Sequence, residues 1–170
     1  ILLLSSHLES GHYFNPHAQR IMDGKQKGAK LIVMDVRLSN TATHADHWIA
    51  PYPGSEAAIL LAIASFIIRR KRYNAEFMRK FWNWEQYLAD ERPELPRTFE
   101  SFETAIGEAY AHYSFSFAAA ESGVDGAKLR EIAELVSKAG TKLAAHNWRS
   151  AAAGAAVASR RVAASARRRC

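Results

Sequence analysis

The segment that decides the fold is GAKLIVMDVRLSNTATHADHWIAPYPGSE, residues 28–56. Within it, an apolar run at residues 31–34 stops abruptly at Asp35. A short apolar run bounded by turn residues is typical of a strand that is buried on both faces of a parallel sheet. A second apolar stretch, residues 48–50, leads into a Pro-Gly turn. Polar groups thus gather where buried elements end, which is where open α/β sheets bind ligands.

The residues before and within this segment predict a strand, a helix and a second strand. Residues 1–4 (ILLL) form an apolar run, and residues 17–27 carry apolar side chains at helical spacing. Gly28 is expected to end the helix, and the strand at residues 31–34 follows almost at once. These three elements have the length of a βαβ unit, in which the two strands are parallel.

The rest of the chain is predicted to be mostly helical. Residues 56–70 are apolar nearly all round, which indicates a buried helix. Residues 74–88 are rich in aromatic side chains at roughly helical spacing, interpreted as packing. Asp125 is placed to cap a helix over 126–138, and a short strand is expected at 142–145. The predicted fold class is α/β: a Rossmann-like parallel sheet with flanking helices, as an incomplete fragment of a larger multidomain fold.

Positive charge is concentrated at the carboxy-terminal end. The chain carries a formal charge of +6, but five arginines lie within residues 155–170, and residues 1–154 carry only +1. Only this tail suggests binding to nucleic acid, and no nucleic-acid partner is expected for residues 1–154. The tail contains mainly Ala, Arg, Ser and Val, so we interpret it as lying outside the fold, for example as a shifted reading frame; a basic arm is the alternative. The basic residues 69–72 are interpreted as a solvated helix end.

Several classes of site are disfavoured by what the residues lack. The only cysteine is Cys170, which rules out an internal disulfide or a cysteine metal cage. The longest apolar stretch, residues 57–68, has twelve residues including one serine, so no membrane span is expected. The loop after the first strand reads SHLESG and has no Gly-x-Gly-x-x-Gly, which disfavours a nicotinamide-binding domain. The histidine pairs His44/His47 and His12/His17 have no third ligand at motif spacing, so no metal site is expected.

Two turns within residues 28–56 are candidate binding elements. Asp35 could accept two hydrogen bonds from a ribose diol or a guanine edge, and Arg37 could neutralise a phosphate. Alternatively, Asp35 only caps a turn and pairs with Arg37. In the second turn, Gly54 permits a positive φ or a close backbone approach, and Ser55 is expected to cap the following helix. Glu56 would then face a ligand above the sheet, although an ordinary helix start is the alternative.

The ordered series of motifs resembles one large enzyme family. Residues 28–78 contain a strand that ends Asp-Val-Arg, a Pro-Gly-Ser-Glu turn, a long apolar helix and the segment Tyr-Asn-Ala-Glu-Phe. They look like the oxidoreductases that use bis-molybdopterin guanine dinucleotide, a family that includes formate dehydrogenases, nitrate reductases and dimethyl sulfoxide reductase. Residues 122–137 resemble a later helix of the same family. The resemblance covers residues 1–154 in order. It implies that these residues are part of the family's α/β cofactor-binding region.

The resemblance implies a set of cofactor-binding residues. Asp35 and Arg37 match the family's acid and arginine at the strand end, and residues 54–56 match its Gly-Thr/Ser-Asp turn. In the family, both places cradle the guanosine end of one pterin cofactor. The loop after the first strand corresponds to a family loop that contacts the same cofactor. The loop near residue 146 corresponds to one that faces the pterins and the metal. The implied cofactor-binding residues are Ser6, Glu9, Ser10, Asp35, Arg37, Gly54, Ser55, Glu56, His146 and Asn147.

The chain departs from the family pattern at several positions. Val36 replaces a proline, Glu56 replaces the commoner aspartate, and Ser6 stands where asparagine is usual. His146-Asn147 stands where glycines are common. The family's cysteine-rich iron–sulfur motif and its metal-ligating residue are not in this chain, so a 4Fe–4S cluster and the metal ligand would belong to the intact protein.

The function implied by the resemblance is therefore that of a fragment of an oxidoreductase catalytic subunit. The fragment would bind the guanosine end of molybdopterin guanine dinucleotide, and the intact enzyme would use Mo or W for its redox chemistry, with electron-transfer subunits as partners. By itself the fragment is expected to be inactive. The alternative is a non-catalytic α/β nucleotide-binding module of another class.

Overall fold

Four short parallel strands form the sheet in a computed structural model that describes residues 1–6, 8 and 15–147. The strands are β1 (Leu2–Leu4), β2 (Ile32–Met34), β3 (His47–Ile49) and β4 (Ala145–Asn147). Their order across the sheet is β3-β2-β1-β4, and each adjacent pair is parallel. Helix α1 (Asn15–Gln26) connects β1 to β2. The predicted parallel βαβ unit and the α/β fold class are confirmed.

One face of the sheet packs against α1 and the short helix α2 (Asn40–Thr43). Successive strand residues point to opposite faces, so Leu3 and Val33 turn towards this side. They join Ile21 of α1 and Ala42 of α2 in a buried apolar cluster. Gly28 has a φ of +96°, just past the end of α1, as its predicted role as a helix terminator requires.

The opposite face is covered by three helices: α3 (Glu56–Arg69), α7 (Phe115–Ser122) and α8 (Gly126–Ala139). The main core lies between them and the sheet, with Met34 fully buried and Ile59 of α3 and Ile132 of α8 beside it. Because helices cover both faces, every position of the two central strands, β1 and β2, is apolar, which accounts for the continuous apolar runs in the sequence. Asp125 caps α8 as predicted, since its Oδ1 accepts the Ala127 N–H at 3.1 Å.

A second core lies within three further helices: α4 (Ala75–Phe81), α5 (Trp84–Glu91) and α6 (Phe99–Ala109). We call these helices the aromatic unit, because Phe102 at its centre contacts the rings of Trp84, Tyr87 and Phe99. Asn74 starts α4 by accepting the Phe77 N–H at 3.0 Å.

Two predictions about local structure are corrected. The aromatic stretch at residues 74–88 is two helices, because the backbone becomes extended at Trp82. Phe77 and Phe81 precede this break and are 52% and 64% exposed, so the packing interpretation is wrong for them. The strand expected at 142–145 begins at Ala145, because residues 140–142 form a 3-10 turn after α8. No helix in the described ranges is both long and apolar enough to span a bilayer.

Candidate functional site

The candidate site lies at the edge of the sheet where the four parallel strands end. Parallel strands place all their carboxyl ends on one side, so the segments that follow them are neighbours in the order of the strands. The segment at 50–56 follows β3, Asp35 follows β2, and Ser5-Ser6 follows β1. His146 lies within β4 on the far side. We call this region the carboxyl edge.

Asp35 is nearly buried at the carboxyl edge, with 9% of its surface exposed. Its Oδ1 accepts the backbone N–H of Arg37 at 3.2 Å, so one carboxylate oxygen does cap a turn. Its backbone is fixed as well, because its N–H donates to Ile49 O and its carbonyl accepts from Trp48 Nε1. No group in the described ranges donates a hydrogen bond to Oδ2. A carboxylate oxygen in a fixed position is therefore available to a ligand.

The turn before α3 is shaped by Gly54, which has a φ of +86°. A side chain would be strained there, and the position where a Cβ would stand has no atom within 4 Å. The expectation that Ser55 caps the helix through its side chain is wrong. Its hydroxyl donates to Tyr52 O at 2.6 Å instead, which closes the turn. Glu56 follows in the first turn of α3, partly exposed.

Tyr52 fixes this turn to the rest of the protein, a contact that sequence reasoning missed. Its N–H donates to Ser122 O at 2.9 Å, at the end of α7. Its ring lies over Gly123, where φ is +72° and an added Cβ would come within 2.6 Å of Tyr52 Cζ. The left-handed glycine is therefore required by the tyrosine above it. Only the Ser-Gly pair before the α8 cap could have indicated such a junction.

The residues after β1 are less exposed than a direct ligand contact would need. Ser6 is fully buried, and its hydroxyl donates to Leu4 O at 3.1 Å. Ser5 before it adopts a positive φ of 49°, which turns the chain sharply away from the strand. Leu8 is anchored by its N–H, which donates to Thr41 Oγ1 at 3.0 Å. Glu9 and Ser10, the other predicted residues of this loop, lie outside the described residues.

His146 faces the side of the sheet that α1 covers. It pairs with Leu3 in the strand register, and its ring lies 4.8 Å from that of His17, in the first turn of α1. Burial, with a smaller contribution from His17, lowers the pKa of His146. The side chain of Asn147 and the tail at 155–170 lie outside the described residues. Among the described residues, Ser6, Asp35 and the 54–56 turn therefore follow strands at one edge, whereas His146 lies within β4, two strands away from Asp35.

Comparison with known proteins identifies the chain's relatives. It is 36% identical over 69 residues to the molybdopterin-containing subunit of thiosulfate reductase from Salmonella typhimurium, which is 41% of this chain and 9% of that protein. It is 39% identical over 62 residues to the alpha subunit of the F420-dependent formate dehydrogenase of Methanocaldococcus jannaschii, which is 36% of this chain and 9% of that protein. These similarities indicate the molybdopterin oxidoreductase family. No family model matches it.

The fold has a counterpart among solved structures. Acetylene hydratase from Pelobacter acetylenicus superimposes with a TM-score of 0.65 at 24% identity, over 90% of this chain and 18% of that one. The chain thus spans less than a fifth of the length of that structure, and its aligned segments span about a tenth of its curated relatives. The chain therefore corresponds to one part of a larger α/β fold.

The carboxyl edge offers hydrogen-bond acceptors and open backbone. Asp35 supplies a carboxylate oxygen, Glu56 supplies a second carboxylate, and Gly54 leaves the surface of its turn accessible. Acceptors of this kind suit ligands that present N–H or O–H groups, such as guanine or ribose. Among the described residues, no three His, Cys, Asp or Glu side chains are grouped to hold a metal ion.

Proposed function

We propose that this chain supplies part of the α/β domain that binds the guanosine end of a molybdopterin guanine dinucleotide in an oxidoreductase. The observation that carries the proposal is the pairing of β2 with β3, because Asp35 and the 54–56 turn follow these neighbouring parallel strands at the same edge of the sheet. The molybdopterin-containing subunit among the relatives supports the choice of cofactor.

The residues of the edge fit such a nucleoside. Asp35 Oδ2 would accept hydrogen bonds from the guanine N1–H and N2–H groups or from a ribose hydroxyl, while Oδ1 stays on the Arg37 N–H. Gly54 would let the ligand approach the backbone closely, and Glu56 would accept a further hydrogen bond. The Arg37 side chain, exposed after β2, would neutralise a phosphate.

The share of this chain in the reaction is binding and orientation. When bound, the cofactor supplies the redox chemistry at its molybdenum or tungsten. The residues at the carboxyl edge would fix the distal end of the cofactor, since Asp35 and the 54–56 turn are held by backbone hydrogen bonds to β3 and α7. Oxidoreductase activity, an iron–sulfur cluster and electron-transfer subunits are properties we propose for the whole protein.

Thermal unfolding of the 170-residue chain with guanosine tests the proposal. Guanosine is preferred to a nucleotide because it has no phosphate that could bind arginines elsewhere. At about ten times the dissociation constant, a ligand stabilises the folded state by about 1.4 kcal/mol, which would raise the unfolding midpoint by about 3–6 °C. Adenosine has an acceptor at N1, so it should give no shift at the same concentration if Asp35 binds the guanine edge. An equal shift with adenosine would mean that Asp35 binds the ribose hydroxyls, which both nucleosides share.

Matched variants assign the effect to the edge. Asp35→Asn keeps an oxygen for the Arg37 N–H but replaces the second acceptor with an amide donor, so it should abolish the guanosine shift. Asp90→Asn, an exposed aspartate of α5, and Glu76→Gln, in the first turn of α4, should leave the shift unchanged. A shift that is lost in Glu56→Gln but retained in Asp35→Asn would contradict a shared guanosine site.

The coding DNA on either side of the chain separates this function from a non-catalytic nucleotide-binding module. A cysteine-rich cluster motif upstream is expected for the oxidoreductase. A complete, short reading frame without such a motif would instead favour the module, even if guanosine binds.

A further inference from the structure

A cavity on the helical side of the molecule is lined by three arginines. Its volume is about 270 Å³, and it lies between α3, α7 and α8. Arg69 and Arg70 come from the end of α3, and Arg130 comes from α8. Arg69 is thirteen residues after Glu56 in the sequence, so it lies about 20 Å along the helix from the carboxyl edge. The cavity is therefore separate from the candidate nucleoside site.

These three arginines have no carboxylate partner among the described residues, unlike several other arginines. Arg72 pairs with Glu134 at 2.6 Å, Arg79 with Glu100 at 3.3 Å, and Arg92 with Glu108 at 2.7 Å. No Asp or Glu lines the cavity. Arg72 forms a hydrogen bond with the carboxylate of Glu134 and is the main cause of the lowered pKa of Glu134, to which Arg70 contributes only a little. Three positive charges thus converge on one cavity without an anion to balance them.

Two of the guanidinium groups are held in place by aromatic rings. Arg70 Cζ lies 5.5 Å from the centroid of Phe66, and Arg130 Cζ lies 5.3 Å from that of Phe115. The two rings are themselves in contact, with centroids 5.7 Å apart. Stacking uses the face of a guanidinium and leaves the N–H groups of its rim available for hydrogen bonds. Arg70 and Arg130, although exposed, are therefore positioned to bind an anion with several oxygens.

From this arrangement we propose that the cavity binds a phosphate group, free or as a small phosphate monoester. Phosphate matches the fork geometry of arginine and carries enough charge to balance more than one guanidinium. The hydroxyl of Ser116 also lines the cavity and can donate to a phosphate oxygen. A volume of 270 Å³ equals that of about nine water molecules, which leaves room for a small group attached to the phosphate.

Calorimetric titration of the 170-residue chain with inorganic phosphate and with glycerol 3-phosphate, in a low-chloride buffer, tests the proposal. We expect saturable binding of one ligand per chain, weakened about tenfold or more in Arg70→Gln/Arg130→Gln. The control is Arg20→Gln/Arg97→Gln, which removes the same charge from two exposed arginines outside the cavity. Its affinity should stay within about twofold of the starting chain, because only distant charge is lost.

A further variant guards against loss of the fold. Arg70 and Arg130 cover aromatic rings, so their replacement could disturb packing, whereas no described ring stacks on Arg69. Arg69→Gln should therefore weaken phosphate binding while leaving the circular dichroism spectrum unchanged.

Three results would overturn the proposal. The first is no saturable binding to the starting chain. The second is an equal loss in the cavity and control variants, which would mean attraction to net charge. The third is tight binding of a hexaglutamate peptide at these arginines without binding of phosphate, which would assign the cavity to an acidic segment of protein. Because guanosine is uncharged, its binding at the carboxyl edge succeeds or fails independently of these outcomes.

Discussion

The carboxyl edge and the aromatic unit differ in how their charged groups are arranged. In and around the aromatic unit, charged side chains form salt bridges: Arg92 pairs with Glu94 and Glu108, and Arg79 pairs with Glu100. At the carboxyl edge, no Lys or Arg of the described part of the chain lies within 4 Å of the carboxylates of Asp35 or Glu56. Salt bridges on a surface contribute little to stability, but they occupy the groups that form them. The carboxylates of Asp35 and Glu56, which form no salt bridge within the described part of the chain, can therefore bind a ligand.

The two regions also have separate cores. The sheet core contains strand residues and the helices α3, α7 and α8, whereas the aromatic unit packs around Phe102. Contacts between them run through the end of α3, where Ile68 packs against the aromatic core and Ser65 Oγ donates to Tyr110 O at 2.9 Å. With so narrow a connection, the aromatic unit is expected to open without the sheet.

The largest expected effect tests that separation. Phe102→Ala removes a ring that is 2% exposed and should cost about 3–5 kcal/mol of unfolding free energy, measured by urea denaturation. Hydrogen exchange should then show lost protection in α4–α6 and retained protection in β1–β3. Phe81→Ala, at a ring that is 64% exposed, is the control and should cost less than about 1 kcal/mol. Equal loss of protection in sheet and aromatic unit would mean a single cooperative core.

A second change tests how the turn at the carboxyl edge is anchored. Gly123→Ala forces a Cβ against the Tyr52 ring at a positive φ and should destabilise the protein by about 1–3 kcal/mol. Gly107→Ala is the matched control, because Gly107 lies inside α6 with no atom within 4 Å of the added Cβ. That substitution should stabilise the protein by about 0.5–1 kcal/mol. Both values come from thermal or urea unfolding, and a neutral Gly123→Ala would show that the tyrosine ring moves freely.

The smallest effect concerns Asp46, which braces the amino-terminal side of the sheet. Its Oδ2 accepts the Leu31 N–H at 2.9 Å and the Lys25 ammonium at 2.8 Å. Asp46→Asn keeps an acceptor for Leu31 but loses the charge, so it should cost about 1–2 kcal/mol near pH 7. Asp23→Asn, an exposed aspartate of α1, should change stability by less than about 0.5 kcal/mol.

The pH dependence of Asp46 has a defined sign. The hydrogen bond from Leu31, followed by that from Lys25, holds the pKa of Asp46 well below its ordinary value of 3.8. A carboxyl whose pKa is depressed by folding stabilises the native state fully above its unfolded pKa and loses that contribution as the pH falls below it. The stability difference between the native chain and Asp46→Asn should therefore shrink below about pH 4 in urea unfolding. A difference that stays constant down to pH 2 would contradict this assignment.

Much of the sheet could be predicted from the sequence, whereas the aromatic unit could not. The apolar runs in β1 and β2 and the glycine after α1 are local signals, and each local preference agrees with the fold. The break at Trp82 has no such signal, because neither glycine nor proline marks it. There the packing of Trp84 and Tyr87 around Phe102 decides where one helix ends and the next begins.

For the candidate site the sequence determined which residue types follow which strands, and the ordered motifs pointed to the family. Strand order is a tertiary property, so only the structure set β2, which precedes Asp35, beside β3, which precedes the 54–56 turn, and placed His146 two strands away from Asp35. The same holds for contacts between distant residues. Tyr52 contacts Gly123, and the arginines of α3 share one cavity with the arginine of α8. In both cases the partners are more than fifty residues apart along the chain. Local patterns cannot specify them, because they exist only once the helices have packed against the sheet.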